Sequence, residues 1–399
     1  MAKKVVLAYS GGLDTSVIIK WLTRKGYEVV AYMADVGQGS DFGTYKTRAL
    51  KAGAVKVVVE DLKREFVDDF VFKSLKAGAL YEGGYLLATA LSRPLIAKGL
   101  VNAARKENAL FAAHGCTGKG NDQVRFEVSI GALDPRLKIL APVREWELKT
   151  RQEEIEYAKK NNIPIDATKE KPYSIDVNLW GISIESGKLE DPNQEPDEDI
   201  YQLTKGIDKA GPRPSYVEVE FNKGIPVKLN GKAMDGVSLI PKLAKIAGDA
   251  GVGRSDMIEN RLVGIKSREI YEAPAGWVLY TAHKALEALS LDRELAHFKE
   301  AVSSKYSELV YYGLWYTPLK AALDKFIDET QKCVNGTVKM KLHKGNCVVT
   351  GRKSPDSLYR KELATYEEGG TFDQSFAKGF INIWGLPYRG SQAASKRKV

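Results

Sequence analysis

Apolar and polar residues follow one another along the first 165 residues in a pattern that predicts strands and helices in turn. Short apolar runs predict strands over residues 5–9, 28–35, 54–59, 109–114 and 138–141. Helical spacing predicts helices over 15–25, 41–52, 85–107 and 147–161, with a kink at Pro94. Strands joined by helices of this length are typical of βαβ units. The pattern therefore predicts an α/β fold built on a doubly wound parallel sheet.

Beyond about residue 165 the pattern predicts a second, α+β domain. Alternating segments predict hairpins over 214–231 and 337–350, and helical spacing predicts helices over 277–289 and 293–311. The acidic, proline-containing segment 185–199 indicates a surface loop. From about residue 373 a run of apolar residues has no predicted partner, which is typical of a segment that packs on a neighbouring subunit. We expect domains over 1–165 and 166–365 and an oligomerisation arm over 366–399.

Composition narrows the class of protein. Sixty Lys and Arg against 51 Asp and Glu give a net charge of +9, which suits nucleic acid but equally suits small anionic ligands. The basic residues are spread along the chain rather than clustered with aromatics, so we expect no nucleic-acid partner. Three cysteines without a CxxC pair argue against disulfides and cysteine-rich zinc sites and favour a reducing cytoplasm. No apolar run predicts a membrane span or a signal peptide.

The most informative segment is AYSGGLDTS, from Ala8 to Ser16. It follows the first predicted strand and opens the first predicted helix. Two glycines allow a tight turn with exposed backbone N–H groups, and the helix N-terminus adds a positive dipole end. The segment lacks the lysine of a Walker A loop and the spacing of a GxGxxG loop. A plain glycine turn with Asp14 as a helix cap is the alternative, but the clustered hydroxyls favour an anion site.

A second glycine-rich segment, HGCTGKGNDQVRFE from His114 to Glu127, follows the fourth predicted strand. Polar and charged side chains crowd the carboxyl end of that strand, which is where ligands bind in such sheets. The alternative is a glycine-rich connection that leads into a capped helix. The first segment resembles the SGGxD[ST] loop of the ATP pyrophosphatase superfamily. The second is almost identical to the HGxTGKGNDQVRFE run of one family in it, argininosuccinate synthase.

Other segments carry the same resemblance from about Lys3 to Leu386. They are similar to the family's ALYE…YLL, PYSxDxNL, GVGR, ENR, GxKSR and YExPAG signatures, and lie here at 79–87, 172–179, 251–254, 259–261, 264–268 and 271–276. The resemblance implies an enzyme that condenses L-citrulline and L-aspartate to argininosuccinate through a citrullyl-AMP intermediate. ATP would be cleaved to AMP and pyrophosphate, with Mg²⁺ on its phosphates. It also implies a homotetramer.

The resemblance further implies roles for individual residues. ATP would contact Ala8, Tyr9, Ser10, Gly11, Gly12, Leu13, Asp14, Thr15, Ser16, Ala34 and Gly115, with Asp35 near the adenosine. Aspartate would contact Thr117, Asn121 and Asp122. Citrulline would contact Tyr85, Asn121, Arg125, Ser174, Ser183, Glu259 and Tyr271. Asp14, Asp122 and Arg125 would act in catalysis, and the two aspartates are also candidates for the metal side, although no metal ligand set is identified.

The chain departs from the family at one position. Some members carry a serine five residues after the tyrosine that corresponds to Tyr85, where this chain has Ala90. We expect Thr89 not to replace that serine, because on a helix that includes Tyr85 it would point in another direction. Two other functions stay open from the sequence: a tRNA-modifying ATP pyrophosphatase that adenylates a base, which would need reactive cysteines, and a non-catalytic binder of adenine nucleotides.

Overall fold

A computed structural model describes residues 3–164, 173–367 and 370–389 of the chain. Residues up to Asp356 form one compact unit, and those from Ser357 onward form a second. In the described part of the chain, no helix is long and apolar enough to cross a membrane.

The first sheet of the larger unit is parallel throughout. Its strands are β1 (Lys3–Ala8), β2 (Tyr27–Asp35), β3 (Lys56–Asp61), β4 (Phe111–Ala113) and β5 (Lys138–Leu140). They lie in the order β3-β2-β1-β4-β5. The central strand is apolar and buried on both faces, with Val5, Val6 and Leu7 fully inaccessible. The predicted doubly wound parallel sheet is confirmed, and its carboxyl edge lies after β1, β2 and β4.

Helices connect and cover these strands. They are α1 (Leu13–Arg24), α2 (Phe42–Ala52), α3 (Lys63–Glu65), α4 (Phe72–Ala77), α5 (Ala88–Lys106), α6 (Asp122–Leu133), α7 (Pro142–Glu145) and α8 (Arg151–Lys160), with a π-helical turn over Phe66–Val71. Helix α5 keeps Pro94 in its interior, as the sequence predicts. Helix α8 starts four residues later than predicted, because Thr150 and Glu153 form a reciprocal capping box there.

Two antiparallel sheets complete the larger unit. One contains β8 (Ser215–Asn222), β9 (Ile225–Leu229), β10 (Lys232–Ala233), β13 (Gly336–His343) and β14 (Asn346–Lys353). The other, the four-stranded sheet, has the order β11-β12-β7-β6 and contains β6 (Ser174–Asn178), β7 (Gly181–Glu185), β11 (Arg254–Asn260) and β12 (Lys266–Glu272). Both predicted hairpins are present, as β8–β9 and β13–β14. The four-stranded sheet was not predicted.

Further helices pack in the larger unit. They are α9 (Gly236–Asp249), α10 (Pro274–Ser290), α11 (Arg293–Tyr311) and α12 (Pro318–Thr330). Both helices predicted in this region are present, and α11 has the predicted bounds. The segment predicted as an acidic loop holds two 3₁₀ turns, Gly187–Glu190 and Glu198–Ile200, whose Leu189 and Ile200 are buried. The smaller unit contains α13 (Lys361–Ala364), α14 (Phe376–Trp384) and α15 (Leu386–Arg389).

Candidate active site

The AYSGGLDTS loop joins β1 to α1 at the carboxyl edge of the parallel sheet. Gly11 has a φ of +82°, and a Cβ added to it would lie 2.3 Å from Cδ2 of Tyr45, so the loop depends on glycine here. Gly12 is the N-cap of α1, and no side chain caps the helix. Hydroxyl groups brace the turn: Ser10 Oγ lies 3.1 Å from Thr15 Oγ1, and Ser16 Oγ donates to the Gly12 carbonyl at 2.7 Å. The first turn of α1 therefore presents its N–H groups to the cavities beside it.

Three adjoining cavities lie around this loop. The first, the strand-end cavity, has a volume of about 480 Å³. Its apolar wall comes from β1, β2, α5 and α6 and includes Ala8, Ala34, Val36, Ile96 and Phe126. Tyr9, Ser10, Gly12, Thr15, Gly115 and Asp122 also line it. An apolar slot that ends at an anion loop can take a purine with a phosphate chain.

The second, the loop cavity, has a volume of about 680 Å³ and a mainly polar wall. Ser10, Gly12, Leu13, Asp14, Thr15 and Gly115 line one part of it. Arg151, the first residue of α8, is the one cationic side chain among its described lining residues. The arginine has no hydrogen bond or ion pair with the described residues, so its guanidinium is available to an anion in this cavity.

The third, the inner cavity, has a volume of about 370 Å³ and brings together residues from both glycine loops and the four-stranded sheet. Its lining contains every residue that the resemblance assigned to the two amino acids: Tyr85, Thr117, Asn121, Asp122, Arg125, Ser174, Ser183, Glu259 and Tyr271. Ser10, Gly115, Arg93 and Asp122 line both this cavity and the strand-end cavity, so the two adjoin.

Two arginines hold Asp122 at the junction of these cavities. Arg93 Nε donates to Asp122 Oδ2 at 2.7 Å, and Arg125 Nη1 donates to Asp122 Oδ1 at 2.9 Å. Arg93 also pairs with Asp176. Burial would raise the pKa of Asp122, but the two guanidinium groups outweigh burial and hold that pKa below its usual range. Asp122 is therefore ionised, and each of its oxygens accepts one hydrogen bond from a different arginine.

Arg125 has one unused donor in the inner cavity. Its Nε donates to the carbonyl of Tyr311 at 2.9 Å and its Nη1 to Asp122. Nη2 is buried and has no hydrogen-bond partner among the described residues. A buried, unpaired guanidinium N–H is costly unless a ligand fills it, and a carboxylate is its best complement.

Glu259 lies in the same cavity inside a cluster of tyrosines. Tyr271 donates to its Oε2 at 2.6 Å and Tyr311 to its Oε1 at 2.5 Å. The rings of Tyr85 and Tyr271 stack at 3.9 Å between centroids. Burial raises the pKa of Glu259, and the hydrogen bonds from the two tyrosines oppose that rise. A buried carboxylate supported by neutral donors keeps its negative charge available for a cationic ligand.

The four-stranded sheet presents a polar row to the inner cavity. Asp176 on β6 is paired with Ser183 on β7, and Ser183 is paired with Tyr271 on β12. Because directly paired residues point to the same face of a sheet, the three side chains enter the cavity side by side. The opposite face carries Ile182 and Ile184, which are buried in a separate apolar cluster.

The reason given for excluding Thr89 was wrong. Tyr85 is not part of the helix: α5 begins at Ala88, after Leu87 with a φ of +66°, so helical spacing cannot be counted from Tyr85. The Tyr85 hydroxyl instead accepts from the N–H groups of Thr89 and Ala90, at 2.9 and 3.1 Å. Thr89 lines the inner cavity, and its Oγ1 lies 2.7 Å from Ser183 Oγ. A hydroxyl is thus supplied one position earlier than in members with the serine.

Most residues assigned to ATP also line the cavities, with three exceptions. Gly11 lies against Tyr45, and Ser16 is buried behind the loop, where it shapes the turn. Asp35 does not line a cavity, because its carboxylate pairs with Lys63 and accepts from the Gly37 N–H at 2.9 Å. Ala34, next to it, does line the strand-end cavity.

Sequence reasoning missed Arg93, Asp176 and Arg151. Arg93 lies one helical turn after Thr89, and Asp176 lies two residues after Ser174 on a strand, so spacing from the assigned residues could have indicated both. Arg151 follows Thr150, the cap of α8, and only the fold brings it to the phosphate loop. Cys116, which the tRNA-modifying alternative would need, is half-buried, and desolvation raises the pKa of its thiol.

Comparisons with known proteins point to the same family along nearly the whole chain. Residues 4–164 match the family described as Arginosuccinate synthase N-terminal HUP domain, and residues 173–390 match Arginosuccinate synthase C-terminal domain. The chain is 56% identical over 387 residues to argininosuccinate synthase of Pelotomaculum thermopropionicum, covering 97% of this chain and 96% of that protein. The enzyme of Caldanaerobacter subterraneus is 59% identical over 386 residues, covering 96% and 94%. That of Aquifex aeolicus is 57% identical over 389 residues, covering 97% of each.

Proposed function

The chain belongs to the argininosuccinate synthase family, and on that premise we propose which side chains of the three cavities hold each substrate. The enzyme joins L-citrulline to L-aspartate in arginine biosynthesis and uses ATP as a substrate. The tRNA-modifying alternative is not favoured, since synthases of this one family match nearly the full chain.

The observation that carries the assignment of the inner cavity is the unpaired Nη2 of Arg125. We assign it to the α-carboxylate of citrulline, because that group can use the open edge of a guanidinium fork. Glu259, held by its two tyrosines, receives the α-ammonium. Ser174, Ser183 and Tyr85 line the remainder of the citrulline subsite, with Thr89 added to it.

Aspartate is assigned to the mouth of the second glycine loop. Thr117, Asn121 and Asp122 form this side of the inner cavity, and Asn121 lies between the two amino acids. Asp122 is ionised, so it can accept from the aspartate ammonium group. Arg93 stands between Asp122 and Asp176 and lines both the inner cavity and the strand-end cavity. Holding both amino acids here replaces a three-body encounter by reaction within one complex.

ATP is assigned to the other two cavities. Adenine occupies the apolar slot beside Ala34, and the phosphates follow the loop from Ser10 to Thr15. The ureido oxygen of citrulline attacks the α-phosphorus, and pyrophosphate leaves. The aspartate ammonium then loses a proton, and the resulting amine attacks the activated carbon and releases AMP. Loop N–H groups and Arg151 stabilise the charge that grows on the leaving pyrophosphate. Positioning and electrostatics are the main contributions of the protein.

Mg²⁺ is proposed as the ion that accompanies the phosphates. Asp14 lines the loop cavity, and the carboxyl group of Glu154 lies beside it with a buried Oε2 that has no hydrogen-bond partner among the described residues. Burial and Asp14 raise the pKa of Glu154 to about 8, so the pair would hold the ion once Glu154 has lost its proton. Mg²⁺ is commonly held by one or two carboxylates together with substrate phosphates. When bound, it would neutralise part of the phosphate charge. Asp122, the other candidate, is assigned to the aspartate substrate instead.

Pyrophosphate release tests the placement of citrulline. We expect no release without citrulline, at most one pyrophosphate per site without aspartate, and sustained release only with both. Arg125→Ala and Arg125→Lys should each raise the citrulline KM at least tenfold while the ATP KM stays within twofold. The lysine variant keeps the charge beside Asp122, so it separates loss of the guanidinium from loss of folding. Arg254→Ala removes an arginine that pairs with Glu198 away from the cavities and serves as the control. An unchanged citrulline KM in both Arg125 variants contradicts the placement.

We also propose a cytoplasmic homotetramer in which residues 1–165 hold ATP, residues 166–365 complete the amino-acid sites, and residues 366–399 form an oligomerisation arm. Support for the arm comes from α14, where Phe380, Ile381, Ile383 and Trp384 are each at least 60% exposed. Light scattering should give four times the chain mass for the full protein and a smaller mass after deletion from residue 371 onward. An unchanged mass after the deletion contradicts a role of the arm in assembly.

A further inference from the structure

Helix α11 ends beside the inner cavity, and its last residue contacts three of the side chains assigned to the amino-acid substrates. The hydroxyl of Tyr311 donates to Glu259 Oε1 at 2.5 Å and accepts from Asn121 Nδ2 at 2.7 Å. Its backbone carbonyl accepts from Arg125 Nε at 2.9 Å. Tyr311 is itself fully buried and does not line the cavity, so it acts on these groups from behind.

The tyrosine ring is fixed on both faces. Tyr81 stacks on it at 3.7 Å between centroids and an interplanar angle of 8°, and the guanidinium of Arg125 lies 4.8 Å from its centroid. The chain leaves α11 through Gly313 at a φ of +73°, where a Cβ would lie 2.7 Å from Cα of Arg125. The hydroxyl therefore has a defined position relative to its partners.

The Tyr311 hydroxyl and the backbone N–H of Leu262 together orient the Asn121 amide. Because an ionised Glu259 can only accept, the Tyr311 hydrogen goes to Glu259, and the oxygen is left to accept from Asn121 Nδ2. The Asn121 Oδ1 then faces the backbone N–H of Leu262, from which it accepts at 2.9 Å. Neither contact can be kept if the amide is turned around, so the position of its second N–H hydrogen is set.

We propose that Tyr311 is a positioning residue that sets the geometry of the citrulline and aspartate subsites together, by fixing Glu259 and the Asn121 amide with a single hydroxyl. This inference rests on the proposed placement of the two amino acids. It assigns Tyr311 no contact with a substrate. Loss of the hydroxyl should therefore weaken both amino acids and leave ATP, which lies in the other cavities, unaffected.

Tyr311→Phe tests this, because it keeps the ring, the stacking and the carbonyl that holds Arg125. We expect the KM of citrulline and of aspartate each to rise roughly 3- to 30-fold, with the ATP KM unchanged within twofold. Tyr306→Phe is the matched control: Tyr306 lies on the same helix, is fully buried, and donates to Asp324 Oδ1 at 2.8 Å, away from the cavities. It should lower the melting temperature and leave all three KM values in place.

A pH profile adds a signature that loss of stability would not produce. The groups that face Glu259 are Tyr81, Tyr85, Arg125, Arg261, Glu269, Tyr271 and Tyr311. Removing the Tyr311 hydroxyl takes away a donor that favours the ionised carboxylate, so the pKa of Glu259 rises further. The acidic limb of kcat/KM for citrulline should shift to higher pH in Tyr311→Phe and stay in place in Tyr306→Phe.

Two results overturn the inference, and they are distinguishable. If Tyr311→Phe leaves both amino-acid KM values unchanged while Arg125→Lys raises that of citrulline, the positioning role is wrong and the substrate placement stands. If both variants leave the KM values unchanged, the placement itself is wrong. The inference is supported if Tyr311→Phe raises the KM of both amino acids and shifts the acidic limb of the pH profile, while Tyr306→Phe does neither.

Discussion

Replacement of Glu259 by glutamine removes the one charge that we assign to the citrulline ammonium, with almost no change in shape. Glu259 is 2% exposed, so water screens its charge little. A hydrogen bond to a charged group contributes about 1.5–3 kcal/mol, which corresponds to a KM increase of roughly 10- to 150-fold. We expect Glu259→Gln to raise the citrulline KM within that range in a pyrophosphate-release assay with saturating ATP and aspartate.

The same substitution has a predictable effect on stability. Burial raises the pKa of Glu259 in the folded protein, so the folded state binds the proton more tightly than the unfolded chain does. The contribution of this group to the free energy of unfolding therefore falls as pH rises from the ordinary glutamate pKa through the raised pKa. Glutamine does not titrate. The melting temperature of Glu259→Gln relative to the parent should thus be higher at pH 8 than at pH 5.

Glu272→Gln provides the control. Glu272 is also fully buried and lies at the end of β12, but it accepts from the backbone N–H groups of Gln202, Leu203 and Thr204 at 2.7–3.0 Å, outside the cavities. The Glu272→Gln variant should have a lower melting temperature and an unchanged citrulline KM. A citrulline KM within twofold of the parent in Glu259→Gln, or an equal rise in both variants, refutes the reasoning.

Three further substitutions test the cavities. Thr89→Val should raise the citrulline KM roughly 2- to 10-fold, because it removes one neutral hydroxyl contact, and an unchanged value excludes Thr89 from the subsite. Gly11→Ala should raise the ATP KM and lower the melting temperature through its clash with Tyr45, whereas Gly26→Ala, with a φ of +83° and nothing within 4 Å, should lower the melting temperature alone. Arg151→Gln should raise the ATP KM roughly threefold to tenfold at low salt and less at high salt, and a salt-independent effect contradicts a charge interaction.

Local chemistry made the nucleotide half of the site predictable. The loop from Ser10 to Thr15 carries its own signals, namely a buried strand, two glycines and a helix start, and all of them are adjacent in sequence. The second loop is likewise contiguous and marked a candidate site by its own residues, although the roles of Asn121 and Arg125 in it were implied by the resemblance. Both loops follow strands of one parallel sheet, and their convergence follows from the fold class.

The remainder of the citrulline subsite could not be derived from spacing. Glu259 and Tyr271 lie on a hairpin that the apolar pattern did not reveal, because its exposed residues break the alternation. Their roles entered through resemblance. The direction of Thr89 was misjudged because Leu87 has a positive φ. The helix therefore begins only at Ala88 and does not include Tyr85. Tyr311 looks like an ordinary apolar helix residue in the sequence, and only tertiary contacts distinguish it.

The row formed by Asp176, Ser183 and Tyr271 constrains how this enzyme can vary. On β7 the cavity residue Ser183 stands between Ile182 and Ile184, which belong to the apolar cluster behind the sheet. Inserting or deleting one residue in such a strand would reverse its two faces, exposing isoleucine to the substrates and burying the serine. Insertions and deletions of single residues within these strands are therefore not tolerated in evolution. Altered specificity has to arise by substitution within a fixed register, while insertions are restricted to the connections between strands.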